Sequence, residues 1–379
     1  MSAPTPQPRL TAARRLVVKM GTQLLTRRDP ENPGLDARYI ATIARQVAAL
    51  RAQDHEITLV ASGAIGAGCA ELGLHRRPTD VAEAQAVAAV GQRRLMDQMH
   101  RAFARHNLEV GQILLTRSDF DDRQRFLNIR NCINHLHQID CIPIINENDT
   151  VAVEEIRFGD NDTLAALTCN AIRADALILL TVVDGLLDEA GNVIARVDDV
   201  MSQLALVRRE HTHWGSGGMA SKLEAARIVT EAGELAVIAH GRTRDILPRL
   251  LAGETIGTLF RPAQRKLDSR QRWIGLTKRP AGTLTVDDGA ATALRSRGKS
   301  LLATGITDVT GRFERGDVLL VRDEAGHEIA RGLSNYASDE IRRIQGKKSN
   351  QFEKILGRPA YAEVIHRDNL VLLDNGRHV

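Results

Sequence analysis

The residues of this chain best suited to chemistry stand directly after short apolar runs. Residues 16–18 (LVV) lead into Lys19-Met20-Gly21-Thr22, and residues 57–60 (ITLV) into Ala61-Ser62-Gly63-Ala64. Residues 142–145 (IPII) lead into Asn146-Glu147-Asn148-Asp149, and residues 177–180 (LILL) into Thr181. If these runs are strands of one open sheet, the small, polar and charged residues converge beyond its carboxyl edge, where such sheets bind ligands. One turn of this kind is ordinary loop chemistry. Four together make a site.

Two glycine-bearing stretches point to phosphate as the group bound there. Gly21 lets backbone approach an anion while Lys19 supplies positive charge. Residues 215–222 (GSGGMASK) read as a flexible loop feeding an amphipathic helix over 223–232, with Gly233 as its cap. Free N–H groups at that helix start, together with Lys222, form a phosphate cradle. The loop is not a Walker A sequence. Gly215-x-Gly217-x-x-Ala220 matches the relaxed dinucleotide pattern, but no strand precedes it and His240-Gly241, not an acid, ends the next strand. The third cluster is Gly159-Asp160-Asn161-Asp162, ahead of a helix over 163–172. A helix cap accounts for one such residue. Three together, near Asn146 and Asp149 in the chain, could grip an ammonium group and position lysines.

The elements that must hold these residues follow from hydrophobic pattern. The runs above, with residues 236–238, are short, continuous and apolar, as strands buried on both faces are. Ile40, Ile43, Val47 and Leu50 mark one helix face between the first two. Strand–helix alternation predicts a three-layer αβα sandwich with a mostly parallel sheet, over residues 14–260. A leader over 1–13 reads as disordered. Residues 261–280 read as a basic linker, since residues 261–279 hold seven Lys or Arg against the single acid Asp268. From about 281 the pattern turns to short strands (283–286, 305–309, 317–321 and 328–333), punctuated by Gly311, Gly316 and Gly326. This predicts a small β-barrel-like domain over 281–357, with a tail over 358–379. Phe313 and Tyr336 are expected in its core.

Composition bounds the rest. Apolar residues make up 43% and aromatics 3%, so the core rests on Ala, Val, Leu and Ile. A net charge of +4 from 51 basic and 47 acidic residues does not by itself imply a polyanion partner. No run is long enough for a membrane span, and no signal-peptide pattern is seen. Cys69, Cys132, Cys141 and Cys169 show no paired spacing, which predicts reduced, buried thiols in a cytoplasmic protein. His211 and His213 form a pair without further ligands nearby, too few for a zinc site.

Taken together, the strings VVKMGTQLLT (17–26), SGAIGAG (62–68), AVGQRRL (89–95), LLTRSDFDDRQRFLN (114–128), PIINENDTVA (143–152), FGDNDTLAA (158–166) and GSGGMASKLEAA (215–226) resemble the amino-acid kinase family. They resemble in particular the branch that phosphorylates the side-chain carboxylate of glutamate. TVDDGAATAL (285–294), GITDVTGRFERGDV (305–318) and RGLSNYASDEIRRIQG (331–346) resemble a PUA domain. The resemblance implies an ATP-dependent kinase using Mg²⁺ and making γ-glutamyl phosphate for proline synthesis, with proline as inhibitor. It further implies a homo-oligomer, dimer or tetramer, and glutamyl phosphate reductase as a possible partner. Lys19, Lys222 and Asp162 would be catalytic, the lysines neutralising phosphates and Asp162 holding them. Ser62, Asp149 and Asn161 would bind glutamate, with Asn146 and Asp160 beside them. Lys19, Gly21, Thr181, Val182, Ser216, Gly217, Gly218, Met219, Ala220, Ser221 and Lys222 would line the nucleotide site, and no side chain would ligate metal directly. The chain departs from the family pattern at Thr181-Val182-Val183-Asp184, at Gln23, and in a short segment after Leu187.

The physical chemistry agrees with a carboxylate acceptor. Glutamate's γ-carboxylate has a pKa of roughly 4.3, so it is a nucleophile at neutral pH without a general base. The obstacle is repulsion from triphosphate, about 4 kcal/mol between unit charges 4 Å apart at an effective dielectric of about 20. Two lysines, Mg²⁺ and a helix N-terminus answer that obstacle. Two rivals stay open: a kinase of the same fold for acetylglutamate, aspartate or UMP, and an RNA-binding protein acting through the PUA domain. Against the second, residues 283–357 carry 12 basic and 11 acidic side chains, and RNA is not expected as a partner.

Overall fold

Apolar alternation along the strands builds the first part of the molecule. In the computed structural model, which describes residues 10–27, 33–76, 78–152, 161–209, 218–262 and 268–373, the chain divides into two units, Met1–Lys266 and Leu267–Val379. The first unit carries β1 (Arg15–Met20), β2 (Glu56–Ala61), β3 (Glu109–Leu115), β4 (Cys141–Glu147), β5 (Ala176–Thr181), β6 (Arg196–Val197), β7 (Leu235–His240) and β8 (Thr258–Phe260). They form one sheet in the order β3-β4-β2-β1-β5-β7-β8-β6, parallel except where β7 meets β8. The chain leaves β1 toward β2 on one side and returns to β5 on the other, so a crevice opens at their carboxyl ends.

Its helices are α1 (Thr22–Leu25), α2 (Ala37–Arg51), α3 (Ala64–Glu71), α4 (Val81–Ala104), α5 (Arg123–Gln138), α6 (Asn161–Ile172), α7 (Val200–Arg209), α8 (Gly218–Glu231) and α9 (Ile246–Leu251). Leu16, Val18 and Met20 of β1 join the matching residues of β2, β4, β5 and β7 in a core with Ile40, Ile43 and Val47 of α2, Leu95 and Met99 of α4, and Leu247 of α9. The period of two along a strand turns Val17 and Lys19 to the opposite face, across which α6 and α8 pack. Those two helix layers around one sheet are the expected sandwich. Two glycines make one of its contacts possible. A Cβ on Gly68 would stand 1.9 Å from the Val87 carbonyl oxygen, and one on Gly91 would stand 1.8 Å from that of Ala64, so α3 and α4 cross backbone against backbone.

Three strands of this unit escaped the sequence reading. β3 is an edge strand whose EVGQILL sequence breaks the apolar run, and β6 and β8 have only two and three residues. The helix expected from 223 begins by Gly218, because Met219, Ala220 and Ser221 continue it without a break, so residues 218–222 are not loop. Gly233 takes φ +91 just past its end, the left-handed geometry of a helix stop. Cys69, Cys141 and Cys169 are buried as expected, whereas Cys132 lies exposed on the solvent side of α5. Asp160, Ser216, Gly217, His211 and His213 lie outside the described residues.

The second unit holds β9 (Gly282–Val286), β10 (Ile306–Gly311), β11 (Val318–Asp323), β12 (Glu328–Leu333) and β13 (Leu370–Leu372), in the order β10-β9-β11-β12-β13. Only the β9–β11 pair is parallel. With α10 (Ser269–Arg272), α11 (Asp288–Arg297), α12 (Ser338–Ile344) and α13 (Phe352–Leu356), it has a core of its own around Leu284, Leu319, Phe313 and Tyr336. Two stretches do more than the sequence implied. Residues 269–277, inside the expected linker, are helical and bury Trp273, Ile274 and Leu276. Leu370–Leu372, inside the expected tail, pairs with β12. Among the described residues no helix is long and apolar enough to cross a membrane.

Candidate active site

The first turn of α6 joins two polar clusters at the carboxyl edge of the first unit's sheet. Asn161 and Asp162 are consecutive and both buried, at 6% and 3% exposure. A residue whose only task is to cap a helix remains near solvent, whereas these two reach inward to different partners.

Asp162 faces the lysines. Its Oδ1 lies 2.6 Å from Lys19 Nζ, at the end of β1, and its Oδ2 lies 3.0 Å from Lys222 Nζ, on the second turn of α8. Ser221 Oγ also donates to Oδ2, at 2.8 Å, and Lys222 Nζ donates to the Gly218 carbonyl at 3.0 Å. Burial pushes the Asp162 carboxyl up, but the charges and hydrogen bonds of Lys19 and Lys222 outweigh it and hold the group at about 2. The cluster thus contains two cations and one anion and keeps a net positive charge. A Cβ on Gly21 would meet Lys19 Nζ no closer than 3.9 Å, and one on Gly218 would meet nothing within 4 Å among the described residues.

Asn161 faces the ends of β2 and β4. Its Nδ2 donates to Ser62 Oγ at 2.7 Å, to Asn146 Oδ1 at 3.0 Å and to the Ala61 carbonyl at 3.3 Å. Asn146 Oδ1 also accepts from the Glu147 N–H at 2.9 Å, and Asn146 Nδ2 donates to Gln92 Oε1 of α4 at 2.7 Å. Asn161 Oδ1 is buried and has no hydrogen-bond partner among the described residues. Asp149 stands in the turn after β4, where burial pushes its carboxyl up to about 6.

Of the nucleotide-side candidates, Met219, Ala220, Ser221 and Lys222 form the first turns of α8, with Gly218 at its start. Thr181 ends β5 beside His240 of β7, and Val182 packs on the core below. Asp184 is exposed. Two connections escaped the sequence reading: the bond from Ser221 to Asp162, and the place of Gln92 against Asn146. A surface cavity of about 630 Å³ belongs to the second unit, lined by Asp287, Lys299, Ser300, Glu363, His366 and Arg367 among others, and contains none of the candidate residues.

A paired-lysine cluster beside a hydrogen-bonding cluster, at the carboxyl edge of a parallel sheet, defines a protein built for transfer of an anionic group. The first unit matches the model of the amino acid kinase family over residues 14–240, and residues 282–356 match that of the PUA domain. The chain belongs to the amino acid kinase family. It is 46% identical over 366 residues to a glutamate 5-kinase from Synechococcus sp. (strain JA-3-3Ab), covering 95% of this chain and 98% of that one. It is 47% identical over 372 residues to a glutamate 5-kinase from Chromohalobacter salexigens, covering 96% and 97%. Among solved structures, a UMP kinase from Bacillus anthracis is similar at a TM-score of 0.45 and 15% identity, over 66% of this chain and 97% of that one.

Proposed function

We propose that this chain transfers the γ-phosphoryl group of ATP to the side-chain carboxylate of L-glutamate, the glutamate 5-kinase reaction. The observation that carries this reading is the placement of Asn161 and Asp162 on one helical turn, one facing a hydrogen-bonding pocket and the other a pair of lysines. An acceptor held by the first cluster lies next to a phosphate held by the second. Asn161 Oδ1 and the Asp149 carboxylate receive the substrate ammonium, with Ser62 and Asn146 beside them. Lys19 and Lys222 lower the repulsion between the γ-carboxylate and the triphosphate. A γ-carboxylate oxygen attacks the γ-phosphorus, the bond to the β,γ-bridging oxygen breaks, and ADP leaves. No proton moves, so no general base is needed. Asp162 holds both lysine heads in register.

Magnesium enters this reaction on the ATP phosphates, as part of the substrate. Among the described residues no three His, Cys, Asp or Glu side chains gather into a metal site, and Asp162 is occupied by the two lysines. The reading extends to a cytoplasmic homo-oligomer of proline biosynthesis, inhibited by proline and delivering glutamyl 5-phosphate to a reductase.

The test is ATP turnover with Mg²⁺ and L-glutamate in the presence of hydroxylamine, which converts an acyl phosphate into a hydroxamate. Acetylglutamate, aspartate and UMP run alongside. Glutamate-dependent hydroxamate is the expected result, and turnover with one of the other acceptors alone would replace glutamate as substrate.

A further inference from the structure

We infer that Gln92, on the middle of α4, is a positioning residue for the acceptor: it holds in place the Asn146 amide against which Asn161 rests. The inference rests on the reading of Asn161 as an acceptor-binding residue, and it goes further by tracing what orients that residue.

Two backbone groups set the orientation of the whole relay. The Glu147 N–H can only donate and bonds to Asn146 Oδ1, while the Ala61 carbonyl can only accept and is bonded by Asn161 Nδ2. Asn146 therefore turns its Nδ2 toward α4, where Gln92 Oε1 accepts it at 2.7 Å. Asn161 in turn keeps its Oδ1 free, buried and without a partner among the described residues. That oxygen is the atom a substrate ammonium can use. Gln92 Oε1 is the acceptor that Asn146 Nδ2 requires, and Gln92 presents it although its own Nε2 is buried without a hydrogen-bond partner among the described residues. Without it, Asn146 Nδ2 is left buried with no acceptor, and that cost loosens the Asn146 amide whose Oδ1 steadies Asn161 Nδ2.

The same helix face carries a second glutamine at the same task. Gln85 Nε2 donates to the Ala152 carbonyl at 3.4 Å, and Ala152 closes the turn that begins at Asn148 and contains Asp149. Gln85 and Gln92 are seven residues apart, close to two helical turns, and so share one stripe of α4. The stripe grips the end of β4 at Asn146 and, just beyond it, the turn that carries Asp149.

The experiment uses the full-length protein and a double-mutant cycle. Gln92→Met keeps the volume and removes the acceptor. It is expected to raise the KM for glutamate about tenfold, the effect of losing one hydrogen bond in the site, with the KM for ATP and kcat within about threefold of the parent. In an Asn146→Ala background the same substitution is expected to change the glutamate KM less than twofold, because the residue through which it acts is gone. A tenfold loss in both backgrounds would overturn the inference, as would an equal fall in kcat and both KM values. If Gln92→Met does not accumulate as folded protein, Gln92→Asn withdraws the acceptor by one methylene and carries the same two expectations. Parent enzyme that forms no glutamate hydroxamate would refute the proposed reaction instead. That outcome is separate, because the cycle is then read from the binding of whichever acceptor the parent turns over, and non-additivity still decides the role of Gln92.

Discussion

Asp149 and Asp162 are two carboxylates of one sheet edge whose surroundings drive them apart. Lys19 and Lys222 keep Asp162 ionised at about 2 against its own burial, whereas burial without a compensating cation lifts Asp149 to about 6. A raised carboxyl with no ion-pair partner among the described residues is the form expected of a group that waits for a cationic ligand. The sign of its pH effect follows. Below about pH 6 Asp149 is protonated in the free protein and offers the ammonium no charge, so kcat/KM for glutamate should fall as pH drops through that value. Asp149→Asn should abolish that limb of the profile and weaken glutamate binding above about pH 6, where the parent carboxylate is ionised. The folded state holds the proton more tightly than an unfolded carboxyl of pKa about 3.9, so ionising Asp149 costs stability above pH 6, on the order of 2–3 kcal/mol. Asp149→Asn should therefore melt higher than the parent at pH 8, which differential scanning calorimetry can read. Lys222 carries a different expectation. In the proposed reaction it serves the phosphates, so Lys222→Ala should lower kcat by about 100-fold or more while glutamate binding changes little. Equal losses in both would place Lys222 on the acceptor side.

At the scale of elements, the site depends on a strand register and a helix crossing. Lys19 reaches Asp162 because the alternation of β1 turns Leu16, Val18 and Met20 into one core and Lys19 away from it, toward α6 and α8. A slip of one residue would bury the lysine among apolar side chains and expose that set. The α3–α4 crossing carries an equally sharp requirement, since α3 follows Ser62 and α4 bears Gln92. Gly91→Ala places a methyl group 1.8 Å from the Ala64 carbonyl and 2.4 Å from the Gly68 nitrogen, backbone atoms that cannot turn aside. The expected cost is about 3 kcal/mol or more, seen as a lower melting temperature, with a higher KM for glutamate at temperatures where the variant is folded. An unchanged melting temperature would show that the two helices can separate freely.

At the scale of the whole molecule, two units with separate cores divide the work. The first contains every described candidate residue; within the second, residues 283–357 carry nearly balanced charge, 12 basic against 11 acidic side chains. Phe313 and Tyr336 are buried at 3% and 0% exposure, whereas Tyr361 is exposed at 43% with Arg315 over its ring. The balanced charge of residues 283–357 and the burial of Phe313 and Tyr336 argue against an RNA platform on that segment. Full-length protein is expected to retain no single-stranded RNA at about 150 mM salt in a filter-binding assay. Retention that weakens steeply as salt rises would assign the second unit a nucleic-acid role.

The local reading went far because strands buried on both faces announce themselves as continuous apolar runs. β1, β2, β4, β5 and β7 were legible that way, along with the residues that follow each. The edge strand β3 was not legible, since a strand open to solvent on one side mixes polar and apolar residues, and β13 was too short and too distant from its partner to signal itself. Lys19, Asp162 and Lys222 stood out by type, but their meeting joins positions 143 and 60 residues apart along the chain, which no local pattern encodes. Gln92 lies in the AVGQRRL string that carries part of the resemblance, but the string assigns no role to it: one glutamine on a helix face looks like any other until tertiary packing brings the Asn146 amide against it. The sequence by itself determined which segments become strands and helices and which side chains carry charge, because propensity and burial act over a few residues. Tertiary structure alone decided which of those side chains touch, which amide atoms are left unpaired, and which carboxylate ionises, because those outcomes depend on neighbours supplied from other strands and helices.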